Sequence, residues 1–307
     1  PEPTKPTTKP SPLTGVAVEP ALADRPVSAV IIENHPNARP QSGLGQAGVV
    51  YEALAEGGIT RFLALFLETR PGTLGPVRSV RTYFVDWALE FDAPVAHVGG
   101  NADALDLVAP LGLKSLTQFA HASSYYRARD RFAPHNAYTS SDLLDQLLAS
   151  LGFNKPATFK PSPRKPASPP AAGAAPTAPT IGINYSYRGF AVEYRYDQAT
   201  NSYNRFMAGA PHIDRNTNTQ IQVKNIVVQY MPTRYGVTRI GESTVIMGTP
   251  GSGQAIVFRD GGAVTGTWSK GSHRDRTILK DSTGAEIPLN AGNTWYSIVP
   301  VGKMVTY

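Results

Sequence analysis

The alternation of apolar and polar residues changes rhythm once along this chain, and the change predicts two domains. Between positions 26 and 152, apolar runs of strand length alternate with segments of helical spacing. The run PVSAVIIEN at 26–34 reads as a buried strand ending in polar residues. VVYEALAE and ITRFLALFLE flank Gly57-Gly58 and read as a hairpin, since glycine accepts the positive φ of tight turns. In SVRTYFVDWALEF, Phe84, Trp87, Ala88 and Phe91 recur at helical spacing, with Ser79 in the place of an N-cap. PVAHVGG is a further short strand. ADALDLVAPLG and SSDLLDQLLASLG are helices, the second opened by Ser140 or Ser141 and closed by Gly152. Strands mixed with helices, plus a hairpin, predict an α/β domain with a mixed sheet over 13–153.

Positions 154–180 contain KPSPRKPASPPAAGAAPTAP, too poor in large apolar residues to form a core, and read as a Pro/Ala-rich linker. From 181 to 307 short alternating runs (INYSY, FAVEYRY, IQVKNIVVQY, STVIM, QAIVF, AVTGTW, TWYSIV) are separated by turn residues such as Asp260-Gly261-Gly262. This predicts a mainly-β domain, sandwich or barrel-like. The opening PEPTKPTTKPSP at 1–12 has no apolar periodicity and reads as a disordered tether or an ordinary tail. With no starting Met and no apolar leader, the chain reads as a mature or shortened form. Any lipid anchor is then expected on a cysteine upstream of Pro1.

Composition narrows the chemistry. A length of 307 residues with 41% hydrophobic content suits two cores. No run approaches the roughly 18 apolar residues of a membrane helix. The absence of cysteine excludes a thiol nucleophile, a disulfide scaffold and any thiolate metal site, and fits an oxidising exterior. Through Gly152 there are 12 Lys/Arg against 15 Asp/Glu, a net −3, and from Phe153 onward 17 against 8, a net +9, so the positive charge of the chain resides in its second part. No basic run is long enough to define a nucleic-acid patch, and the excess reads as scattered solubilising charge.

Four segments of the first domain carry more polar commitment than a scaffold needs: ENHPNARPQSGL (33–44), YEALAEGGITRF (51–62), GPVRSVR (75–81) and PHNAYTS (134–140). They fall at strand ends or helix starts, where open α/β sheets place ligand sites. With Ser79 as cap, Arg78 and Arg81 would stand at the positive end of a helix dipole, where cations are disfavoured. Two guanidiniums beside free backbone N–H groups suit a carboxylate or phosphate. The competing expectation is a structural network in which Glu52, Glu56 or Asp86 neutralises them. Glu52 and Glu56 would lie about 6 Å apart on a helix and about 13 Å apart on a strand. Val49, Val50 and Tyr51 favour the strand, which weakens a carboxylate dyad and makes Arg61 across the hairpin their expected partner.

Of six histidines none has zinc-site spacing. His35, His97 and His135 fall in strand-end segments, with Glu33 or Glu52 nearby, and are read as local hydrogen-bonders. Neither a metal nor a cofactor is expected. Ser42 and Ser79 lack the G-x-S-x-G elbow of serine hydrolases. GTPGSGQA lacks the Lys-Ser/Thr of a phosphate loop and reads as a turn, and Trp268, Trp295, Tyr203 and Tyr230 read as core.

The segments PLTG, ARPQSGL, YEALAEGGITRFLALF, GPVRSVRTYFVDWALEFDA, HVGG and APHN, in that order, resemble the YerB-like lipoprotein family of bacteria. YNRFMAGAPHID, VKNIVVQY, GTWSK and GNTWYSIVP resemble that family's C-terminal domain. The resemblance covers nearly everything outside the tail and linker. It implies an exported, usually lipid-anchored protein of two domains on the outer face of the cytoplasmic membrane, and it brings no established activity with it.

The residues and the resemblance together predict a non-catalytic, membrane-tethered envelope protein that binds an anionic cell-wall polymer or an envelope protein partner. Arg61, Arg78, Ser79, Arg81, His97 and Asn136 are the expected ligand-binding residues. The competing expectation is a hydrolase or transferase on wall or phosphodiester substrates, with Glu52, Glu56, His97 or His135 as acid or base and the arginines clamping the anion.

Overall fold

The seven residues TRFLALF at 60–66 are all buried, and such a run is stable only where both faces of a strand are covered. In the computed structural model, which describes residues 7–171 and 173–307, this run lies inside a ten-stranded mixed sheet. The first domain supplies β1 (Ser28–Glu33), β2 (Val49–Leu54), β3 (Thr60–Phe66), β4 (Val95–His97) and β5 (Ser115–Thr117). The second supplies β6 (Asn225–Met231), β7 (Gly251–Arg259), β8 (Gly262–Lys270), β9 (Ile278–Asp281) and β10 (Thr294–Pro300). The order is β9-β8-β7-β6-β10-β2-β3-β1-β4-β5, so the two domains meet edge to edge where β10 runs parallel to β2.

Register decides which side chain faces which layer, because alternate residues point to opposite faces. Tyr51, next to Tyr296 across the domain seam, faces helix α1 (Thr82–Glu90) and stacks between Trp87 and Tyr296 at centroid distances of 4.9 and 4.4 Å. On the other face Phe62 and Trp295 pack edge to face, 5.6 Å apart. A smaller antiparallel sheet covers them, built on Thr180–Asn184, Ala191–Asp197 and Ser202–Met207. The architecture is thus an α/β domain with a mixed sheet plus a mainly-β domain. Trp268, Trp295 and Tyr203 are buried within it.

The remaining helices obey local signals. Helix α2 (Ala102–Val108) is capped by Asn101, whose side chain accepts from the Ala104 N–H. Helix α3 (Ser141–Ser150) is capped by Ser140, and Gly152 beyond it takes the left-handed conformation at φ 72°. Helix α1 does not start where Ser79 predicts. Residues 78–80 are extended: Arg78 N–H donates to Ile31 O at 2.8 Å and Val80 N–H to Gly99 O at 3.0 Å. Those donors are spent on β1 and on the turn after β4, so the helix begins at Thr82, after Arg81.

Of the opening segment, residues 1–6 lie outside the described residues, while Lys9–Pro10 pairs with Ala17–Val18. The Pro/Ala-rich connector is docked along much of its length. Arg164–Lys165 pairs with Leu289–Asn290, and the Arg164 guanidinium donates to Leu13 O at 2.6 Å and Asn290 O at 3.0 Å. Ala178 N–H donates to Gly261 O at 2.8 Å.

Candidate functional site

Strands β1 and β4 are parallel and end at Glu33 and His97, while antiparallel β3 begins at the same edge. The carboxyl edge of the parallel strands is where such sheets bind ligands. There the register sets Arg61 directly opposite Glu33, with both side chains on one face. The extended segment crossing this edge adds Arg78 and Arg81 from the neighbouring layer.

Each charge of the cluster has a distinct environment. Arg81 grips Glu56 with two bonds of 2.6 Å, Nε to Oε1 and Nη2 to Oε2. Burial pushes the Glu56 carboxyl up, but Arg81 outweighs it and the net displacement is downward. Arg78 Nε donates to Glu33 Oε1 at 3.2 Å, and the other oxygen of Glu33 meets His135 Nδ1 at 3.0 Å. The His135 ring is stacked on His35, centroids 4.5 Å apart. Burial, then the adjacent His135, lowers the His35 basicity. Arg61 differs from the other two arginines. It is only 8% exposed, donates Nη1 to Ser79 O at 2.8 Å, leaves its buried Nε without a partner, and forms no ion pair among the described residues. Burial first, and then the charge of Arg81, pull its pKa down to about 10. Three guanidiniums thus share two carboxylates.

The expected site is reassembled rather than reproduced. Arg61, Arg78, Arg81, Glu56 and His135 come together, but Ser79 contributes its backbone carbonyl and caps no helix. Arg61 is not the partner of the hairpin carboxylates, because register sets it opposite Ala53 and sets Glu52 opposite Phe62. Glu52 therefore points to the other face. Asp86 pairs with His273 at 2.5 Å instead of with the arginines. His97 is fully buried, with Nδ1 against Gly99 O at 2.7 Å and Nε2 against Ser115 Oγ at 2.8 Å, and burial lowers its pKa. Its ring is a structural tie with no free nitrogen. Asn136 closes its own loop, donating to Ala128 O and Arg131 O and accepting from Arg127. Among the described residues no His, Asp and Glu group has metal-binding geometry, and no helix is long and apolar enough to cross a membrane.

Behind the cluster lies a second polar network that sequence reasoning missed. Glu52 and Arg205 are both fully buried and meet at 2.8 Å across the two domains. Thr60 Oγ1 and Trp295 Nε1 also donate to Glu52, at 2.9 and 3.2 Å. Arg205 donates further to Tyr194 OH and to His212 Nδ1, each at 2.9 Å. Burial opposes charge on Arg205, but Glu52 and the tyrosines outweigh it and raise its pKa. Burial, reinforced by Arg205 and Arg39, lowers His212 well below the usual imidazole range, and His212 Nε2 bonds Gln41 Oε1 at 2.9 Å. A neutral ring accepting at Nδ1 and donating at Nε2 satisfies both contacts. Glu33 carried a faint signal, as a carboxylate closing an apolar strand. Arg205 carried none, being one cation among many in an alternating strand.

An α/β domain and a mainly-β domain that share one sheet define a two-domain family of unknown function, to which the chain belongs. Residues 13–154 match the "Protein of unknown function (DUF3048) N-terminal domain", and 181–296 match the corresponding C-terminal domain. The chain is 33% identical over 300 residues to "Putative lipoprotein YerB" of Bacillus subtilis (strain 168), covering 94% of this chain and 86% of that protein. A crystal structure of the Bacillus subtilis YerB protein is similar throughout, with a TM-score of 0.86 at 29% identity, covering 97% of this chain and all of that one.

Proposed function

We propose that this protein is an extracytoplasmic module, tethered at the outer face of the cytoplasmic membrane, whose arginine cluster binds an anionic cell-wall ligand. The observation that carries the reading is Arg61. A guanidinium this buried is ordinarily paired, and Arg61 instead has a carbonyl as its partner, with the charges of Arg81 and Arg78 acting against it and Glu56 engaged by Arg81. An anion reaching Arg61 and the part-exposed Arg78 would supply the missing counter-charge and form charge-assisted hydrogen bonds. The envelope setting is supported by the lipoprotein name of the Bacillus relative.

Thermal unfolding in inorganic phosphate tests the binding. Ligand at a hundredfold its Kd stabilises the folded state by about 2.7 kcal/mol, so Tm should rise in the parent and stay flat in Arg78→Gln. A parent with no phosphate shift at low ionic strength removes the site.

A further inference from the structure

We infer that Glu33 and His135 form a carboxylate–imidazole dyad that makes this edge a hydrolytic site for phosphodiesters. The inference rests on the anion-binding reading above and adds a reaction to it. Glu33 is 4% exposed and closes β1 at the strand edge. Its ionised carboxylate can only accept, so the bond to His135 places the ring hydrogen on Nδ1 and leaves the Nε2 lone pair of the neutral ring available. Nε2 has no hydrogen-bond partner among the described residues, and the His135 side chain is 16% exposed, so the ring is held yet open to solvent. Arg78 fixes the other oxygen of Glu33, and His35 stacks on the ring. Carboxylate, oriented imidazole and guanidinium thus stand in one chain of contacts, a geometry suited to general-base catalysis beside an anion clamp.

Arg61, Arg78 and Arg81 outnumber Glu33 and Glu56, and Arg39 adds further positive charge beside His35, so the edge suits an anionic substrate with a bond that water can cleave, and a phosphodiester is the simplest such class. Water is the only co-substrate the step needs. His135 Nε2 takes a proton from water as the water oxygen bonds to phosphorus. The P–O bond to the leaving group breaks, and the leaving alkoxide departs with that proton, giving a phosphate monoester and an alcohol. Arg61 and Arg78 face the non-bridging oxygens whose charge grows in the transition state.

The test follows release of p-nitrophenolate from bis(p-nitrophenyl) phosphate by the full chain, with phosphate-dependent Tm measured on the same samples. His135→Gln is the main variant, because its part-exposed side chain can be replaced without stranding a buried charge. It should lower kcat by roughly 10²–10⁴-fold while keeping the phosphate shift in Tm. Arg78→Gln should raise KM and abolish the shift. A parent that is stabilised by phosphate but releases no nitrophenolate above buffer overturns the dyad and leaves the anion site standing. Turnover equal in parent and His135→Gln overturns it as well, and a parent without a phosphate shift overturns the anion site on which it depends.

Discussion

Glu52→Gln is the substitution that separates two domains locked across one shared sheet from a loose association of two domains. Glutamine keeps the shape of glutamate, and its single oxygen can still accept from either Thr60 or Trp295, which bond different oxygens of Glu52, but it removes the charge facing Arg205. Both partners are fully buried, so no water reaches the guanidinium left behind. Its remaining partners, Tyr194 OH and the neutral His212, offer dipoles and no counter-charge. Breaking a buried pair from one side costs about 3–5 kcal/mol, and at about 2–4 °C per kcal/mol this is a Tm loss of roughly 6–20 °C. Circular dichroism measures the loss, and the fluorescence of Trp295, whose indole N–H bonds Glu52, reports whether the seam itself loosens. Arg205→Met in the Glu52→Gln background should recover part of the loss, since partners in one network are not additive. A Glu52→Gln protein within about 1 kcal/mol of the parent would refute the reasoning, because it would mean that the pair is solvated.

Two further outcomes test other parts of the fold. Burial raises the folded Asp86 carboxyl from its ordinary 3.8 to about 6, against the bond from His273. The folded state therefore holds a proton that the unfolded chain has lost, and this stability is full below pH 3.8 and is lost as pH rises through 6. Asp86→Asn should accordingly raise stability by about 1–3 kcal/mol above pH 6 and do nothing below pH 4, and a gain independent of pH would contradict the cause given. Protease nicking at the exposed positions 166–169 should leave one species on native gel filtration, since β10 still pairs with β2; fragments that part without denaturant would contradict the shared sheet.

Much of the local structure was determined by residues close in sequence. The β2–β3 hairpin follows from two buried apolar runs around Gly57-Gly58, where both glycines have positive φ. Helix α3 follows from Ser140 ahead of an apolar stripe and Gly152 behind it. The polar strand ends marked the region of the arginine cluster. What each residue does there was decided by tertiary structure. Ser79 has the chemistry of a cap, but its segment is drawn into hydrogen bonds with β1 and with the turn after β4, and long-range pairing overrides the local preference. The seam between β2 and β10 joins residues some 245 positions apart, and a run buried on both faces carries no mark of its neighbour. The same holds for charge. One step of register sends Arg61 to the strand-edge cluster and Glu52 to the opposite face, where Arg205 arrives from the other domain. A carboxylate in sequence is only a possible partner, and its true partner is fixed by which face it points to and which layer covers that face.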